Sequence, residues 1–171
     1  DSADSIGRYS DLAGWWKMDE TSATPSTAVD ASPNGYDGTV TAATGAETGK
    51  INNSYDFDGT GDFVNNQTAG LLTAMQSESS FTVSFWASAS SYQASDPAVS
   101  IRNGTDTATL FLFYPYDTIG TNGARVYINS TSVIDESTSS VAADGSFNHY
   151  CFVSRSATDH ELYVNGVSVG T

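Results

Sequence analysis

The sequence predicts an all-β fold built as a two-sheet antiparallel sandwich, and three observations carry that prediction. Apolar and polar residues alternate over short runs, most clearly where Phe81, Val83 and Phe85 are set against Thr82, Ser84 and Trp86. These runs are punctuated by Gly, Asn and Asp clusters, of which Asn165-Gly166 is the strongest tight-turn signal. Helical periodicity is nearly absent: residues 69–75 supply one helical turn, too short to be a helix of consequence. At 171 residues, 39% hydrophobic and 12% aromatic, the chain is about one domain long and can bury a sizeable core. No change of composition divides it, so residues 1–171 are expected to form a single domain.

Taken in order, residues 12–18 read as a first strand and the polar stretch 19–27 as a loop. Short strands are expected at 39–43 and 51–57, on either side of a Gly-rich turn, and another at Phe63-Val64 after the turn Asp58-Gly59-Thr60-Gly61. Beyond 81–86, strands are expected at 98–102, 109–114, 124–128 and 132–134, separated by Asn-Gly and Asp-rich turns. Residues 147–154 and 161–164 form an expected hairpin around Ala157-Thr158-Asp159-His160, and 167–169 follow the Asn165-Gly166 turn. Many short strands without a long helix bury their apolar faces by packing as two antiparallel sheets.

Twenty acidic against six basic residues give a formal net charge of -14, which repels nucleic acid and anionic membranes. No apolar run reaches the length of about 18 residues that a membrane-spanning helix needs, so no membrane insertion is expected. The single cysteine, Cys151, lies in the apolar run 149–153 and is read as a small buried hydrophobe. Asp135 and Glu136 are adjacent and diverge on a strand, whereas glycoside hydrolysis needs two carboxylates facing across a cleft. His149 and His160 make no metal-helix motif, and there is no nucleophile elbow or Gly-rich phosphate loop. The chain reads as a non-enzyme.

Acidic residues instead cluster with Asn and Gly at the ends of the apolar runs: Asp30, Asp37, Asp56, Asp58 and Asp62 beside Asn34, Gly35, Gly38, Gly59 and Gly61. Calcium prefers six to eight oxygen ligands, and Asp30 with Asn34 and nearby turn carbonyls supplies oxygens of the right type, with Glu20 approaching from the preceding loop. The same aspartate serves equally as a turn acceptor for backbone amides. Trp15 and Trp16 are adjacent and point to opposite faces of a strand, one into the core and one outward. An outward aromatic face is a rigid platform for a sugar ring. Trp16, Trp86, Tyr114, Tyr116 and Tyr127 are the candidates, with core packing or coverage by a loop as the alternative for each, while Phe111 and Phe113 read as core.

Six segments together resemble the concanavalin A-like, laminin G-like jelly-roll family. They are Ala13-Gly14-Trp15-Trp16-Lys17-Met18-Asp19-Glu20, Asp30 through Val40, Tyr55 through Val64, Phe81-Thr82-Val83-Ser84-Phe85-Trp86, Phe147 through Val153, and Glu161-Leu162-Tyr163-Val164-Asn165-Gly166. The resemblance implies an extracellular, secreted or cell-surface jelly-roll module with a structural calcium held by Asp30 and by backbone oxygens around Asn34 and Gly35. It implies a non-catalytic carbohydrate-binding or adhesion role toward an extracellular glycan. A structural spacer or a protein-interaction domain of a surface protein is the alternative. Members finish with a strand that returns beside the first one. This chain stops at Thr171, so that strand is expected to be missing and its place taken by a C-terminal segment or a neighbouring chain.

Overall fold

A computed structural model describes residues 9–66, 68–77, 80–91, 97–102, 109–117, 123–129, 131–135 and 143–171. Glu136 and the turn 103–108 lie outside the described residues. The chain divides into two compact units, Asp1–Met75 and Gln76–Thr171.

The N-terminal unit opens with a 3-10 turn, Tyr9–Asp11, and contains β1 (Thr27–Ala28), β2 (Gly38–Thr41), β3 (Thr44–Thr48), β4 (Asn53–Asp56) and β5 (Phe63–Asn65). These strands form a three-stranded sheet in the order β1-β2-β5 and a β3-β4 pair, all antiparallel. Along β2, Gly38 and Val40 are buried while Thr39 and Thr41 are exposed, which is the two-residue period of a half-covered sheet. Gly38 is required there, because a Cβ would sit 2.5 Å from Cγ1 of Val64 on the neighbouring strand. The unit's core is small: Ala28, Val40, Ala43 and Tyr55, with Trp16, Met18 and Val64 packed against it.

Three expectations for this unit are corrected. The run 12–18 is not a regular strand; its β-pairing is limited to an isolated bridge, Trp16 to Asp30, and Met18 at φ 56 turns the backbone out of extension. The stretch 19–27 expected to be a loop ends in β1, and β3 was not anticipated. Its sequence Thr-Gly-Ala-Glu-Thr buries only Gly45, and a register slip between Thr44 and Glu47, with Ala46 at φ 60, removes the alternation that would reveal a strand. The helical turn at 69–75 extends into the nine-residue helix α1, Ala69–Ser77. Its Ala, Leu, Met and Gln are good helix formers.

The C-terminal unit holds β6 (Phe81–Ala87), β7 (Val99–Arg102), β8 (Thr109–Asp117), β9 (Gly123–Ile128), β10 (Thr131–Asp135), β11 (Asn148–Ser156), β12 (Asp159–Val164) and β13 (Val167–Gly170). They form two four-stranded antiparallel sheets, β13-β12-β11-β6 and β10-β9-β8-β7. One core joins the two: Phe111, Phe113, Ala124, Val126 and Ile134 from the second sheet meet Tyr150, Phe152, Leu162 and Val164 from the first. The rings interlock edge to face, with Phe81 against Phe111 at 5.6 Å and Phe85 against Phe113 at 5.1 Å. Asn165 (φ 51) and Gly166 (φ 80) both take left-handed backbone, as a two-residue turn of the primed type requires. They set β12 directly against β13, and Ala157-Thr158 make the other tight turn, between β11 and β12. The described chain is thus all-β apart from α1, with several antiparallel sheets.

Candidate functional site

In the N-terminal unit the turn after β1 closes around one carboxylate. Asp30 is 6% exposed, and each of its oxygens accepts two hydrogen bonds. Oδ1 takes the amides of Trp15 (2.8 Å) and Ser32 (2.9 Å), and Oδ2 takes the Ser32 hydroxyl (2.7 Å) and the Tyr36 amide (2.8 Å). Burial pushes the Asp30 pKa up, but the hydrogen bonds from Trp15, Ser32 and Tyr36 outweigh it and hold the carboxyl below its ordinary value. The Asp30 amide donates in turn to Asp37 at 2.8 Å. Glu20 is used in the same way: its carboxylate accepts the Val29 amide at 2.9 Å and the Tyr55 hydroxyl at 2.6 Å. Burial, with Glu20 adding to it, pushes the Tyr55 phenol up. Asn34 donates its side-chain amide to the carbonyls of Leu12 (2.8 Å) and Ala13 (3.3 Å), and Gly35 follows it with φ 66.

These partners decide how well the set fits calcium. A carboxylate offers about four lone-pair positions. Four donors already face Asp30, and one protein donor meets each Glu20 oxygen. An ion bound through both Asp30 oxygens would have to compete with those four donors, whereas each Glu20 oxygen keeps a lone-pair position. Among the described residues, no group of three or more His, Cys, Asp or Glu side chains is placed to hold a metal. As folded, Asp30 has the geometry of an acceptor that ties a turn together, with two donors on each of its oxygens.

The tryptophan pair is split between two environments, with Trp15 as its outward member. Trp16, half-buried, packs against the small core and donates its indole N–H to the Tyr36 carbonyl at 2.8 Å. Trp15 is 45% exposed, with the Lys17 ammonium 5.6 Å from its ring centroid.

In the C-terminal unit the candidates separate by face. Tyr116 is in the core: its hydroxyl donates to the Ala87 carbonyl at 3.1 Å and accepts from Asn148 at 3.2 Å, and its ring packs on Tyr150. Tyr114, two residues earlier, is only half-buried. A register slip between Tyr114 and Asp117 breaks the alternation that would have put both on one face. Tyr114 meets Tyr127 edge-on at 5.9 Å, and the buried Arg125 lies 5.9 Å from the Tyr127 ring. Phe111 and Phe113 are core, as expected.

Trp86 is 41% exposed on the outward face of β6. Its ring lies 5.0 Å from the imidazole of His149, directly opposite on β11, and His149 Nε2 is hydrogen-bonded to Ser84 Oγ at 2.9 Å. Cys151 stands opposite Ser84 on this same face, half-buried rather than in the core, and burial pushes its thiol up. Further along, Arg155 pairs with Asp159 at 3.1 Å and with Glu161. Hydrogen bonds from Arg155, Tyr163 and Ser168 pull the Glu161 carboxyl down to about 2. His149, Tyr163 and the Arg155 cluster were not singled out from the sequence as parts of a site. Their alternation along β11 and β12 was readable, but the pairing register that sets His149 opposite Trp86 and Tyr163 beside Cys151 was not.

A family model described as the concanavalin A-like lectin/glucanases superfamily, of laminin G type, matches residues 58–171. No curated protein and no solved structure matches the chain. The family assignment carries the non-catalytic reading of the module, and with a match running from the Asp58 turn through β13, the chain belongs to the concanavalin A-like lectin/glucanases superfamily.

Proposed function

We propose that the chain is a non-catalytic module that binds an extracellular glycan, as a carbohydrate-binding or adhesion domain of a secreted or cell-surface protein. Membership of the concanavalin A-like lectin/glucanases superfamily supports this, and the observation that carries it is Trp86: a large ring, 41% exposed and braced by His149 on a regular strand. Such a ring offers a sugar its apolar face at little cost in side-chain ordering. Trp15, Tyr114 and Tyr127 are further rings open to solvent in whole or in part. We read residues 1–171 as one jelly-roll domain.

The rival reading is a structural spacer or a protein-interaction domain, and it is favoured by Trp16 and Tyr116, which spend their rings on packing. A broad glycan array, run on folded protein in calcium and again in chelator, decides between them. Binding to a saccharide class in both conditions is expected. Failure to bind any saccharide leaves the spacer.

A further inference from the structure

We infer that the outward face of the β13-β12-β11-β6 sheet is a track for a short linear glycan without acidic groups, running along β6 from Trp86 to a depression beside Thr82; this rests on the glycan-binding reading above.

Three features of this face support the track. The first is rigidity at the Trp86 end. His149, which backs the indole, is fixed by Ser84 Oγ at 2.9 Å, and its backbone exchanges hydrogen bonds with Asn165, N–H to Oδ1 at 3.0 Å and O from N–H at 2.9 Å. A ring so held loses little freedom when a ligand stacks on it. The second is reach. Thr82, Ser84 and Trp86 all point outward from β6, which among the described residues is the outermost strand of its sheet. At about 3.4 Å per residue, Trp86 and Thr82 stand roughly 14 Å apart, longer than a single sugar ring. At the far end lies an open depression of about 450 Å³ lined by Ser80, Phe81, Thr82, Val153, Ser154 and Arg155. It offers hydroxyls and a guanidinium beside two apolar side chains.

The third feature is charge. Arg155, the cation at that depression, is already claimed by Asp159 and Glu161, so one positive charge faces two negative ones. In a chain with net charge -14, this face offers, among the described residues, no surplus cation for a uronate or a sulfate. It accepts neutral sugars, and amine-bearing sugars are drawn to it more strongly.

The test is calorimetric titration with neutral gluco-, manno- and xylo-oligosaccharides of graded length and with uronate oligomers of matched length. Affinity is expected to rise with length until the track is filled, and uronates are expected not to bind. Trp86→Ala should lower affinity about tenfold at every length, the size of a lost aromatic contact. Thr82→Val should weaken only the longer oligomers. Circular dichroism establishes that both variants fold. Glycan binding that neither variant disturbs overturns the track while leaving the glycan-binding reading intact, as does a preference for uronates. No binding to any oligosaccharide overturns both.

Discussion

The two units are held together by different means. In residues 76–171, long ladders such as β6-β11, with seven paired positions from Asn148 to Ser154, enclose fully buried rings at Phe111, Phe113, Tyr150 and Phe152. In residues 1–75 the strands are two to five residues long. Their four-residue core is joined by carboxylates that accept backbone amides: Asp30 from Trp15, Ser32 and Tyr36, Asp37 from Asp30, Asp62 from Asp58. The contrast teaches that acidic residues in this chain do the joining work where apolar surface is scarce. A turn rich in aspartate thus need not be waiting for an ion.

The comparison makes graded predictions. Phe152→Ala should cost the most, about 3–5 kcal/mol, because it empties a ring site with no solvent exposure at the centre of the larger core. Chemical denaturation measures it, and a loss near 1 kcal/mol would mean the core is not what holds this unit. Asp30→Ala comes next. It strips the acceptor from three backbone amides at once, and at about 1–3 kcal/mol for a buried donor left unsatisfied, partly relieved by water, a total near 3 kcal/mol is expected. Amide hydrogen exchange should show protection lost at Trp15, Ser32 and Tyr36, and if those three amides stay protected, Asp30 is not their anchor.

Acid should act more gently. Glu161 titrates at about 2 in the folded chain against an ordinary 4.5, and Asp30 also sits below its ordinary 3.8. Both folded values are depressed, so their stabilisation is complete above the ordinary values and is lost as pH falls through the folded ones. The thermal midpoint should therefore be insensitive to these two groups above about pH 5 and should fall on acidification below it. Glu161→Gln should flatten the part of that fall between 4.5 and about 2. The smallest effect belongs to calcium. With both Asp30 oxygens committed to protein donors, heating in excess calcium and in chelator should give the same midpoint; a clear rise with calcium would show that the turn opens to take an ion. Calorimetry of the same samples should show one transition if residues 1–171 unfold as one domain, and two would separate the units.

What was legible in the sequence follows the same division. From residue 81 onward the strands were readable because apolar and polar residues alternate over runs long enough to count, and Asn165-Gly166 announced its turn through chemistry that few other residues supply. In the first unit the alternation fails: β1 is two residues long, β3 is polar and slips register, and Met18 turns aside. Asp30 was recognisable as important from its company of Asn and Gly. Whether its oxygens face amides or an ion depends on where Trp15 and Tyr36 arrive, which is a tertiary fact. Tyr116 shows the same limit, since the slip in β8 that buries it leaves no mark on the residues themselves.

The shift in register between β12 and β13, at Leu162 and Tyr163, bears on what the chain does in a crowded solution. An outermost strand is a template on which other chains can align and grow into fibres, and a flat, regular one is the most dangerous. Here the slip adds local twist, and Glu161 holds Ser168 on β13 at 2.8 Å, keeping a negative charge beside that border. A second copy approaching in line would meet a bent strand and a side chain already committed to Arg155 and Ser168. The protein should therefore stay dispersed at concentrations where a straightened β13 would seed aggregates.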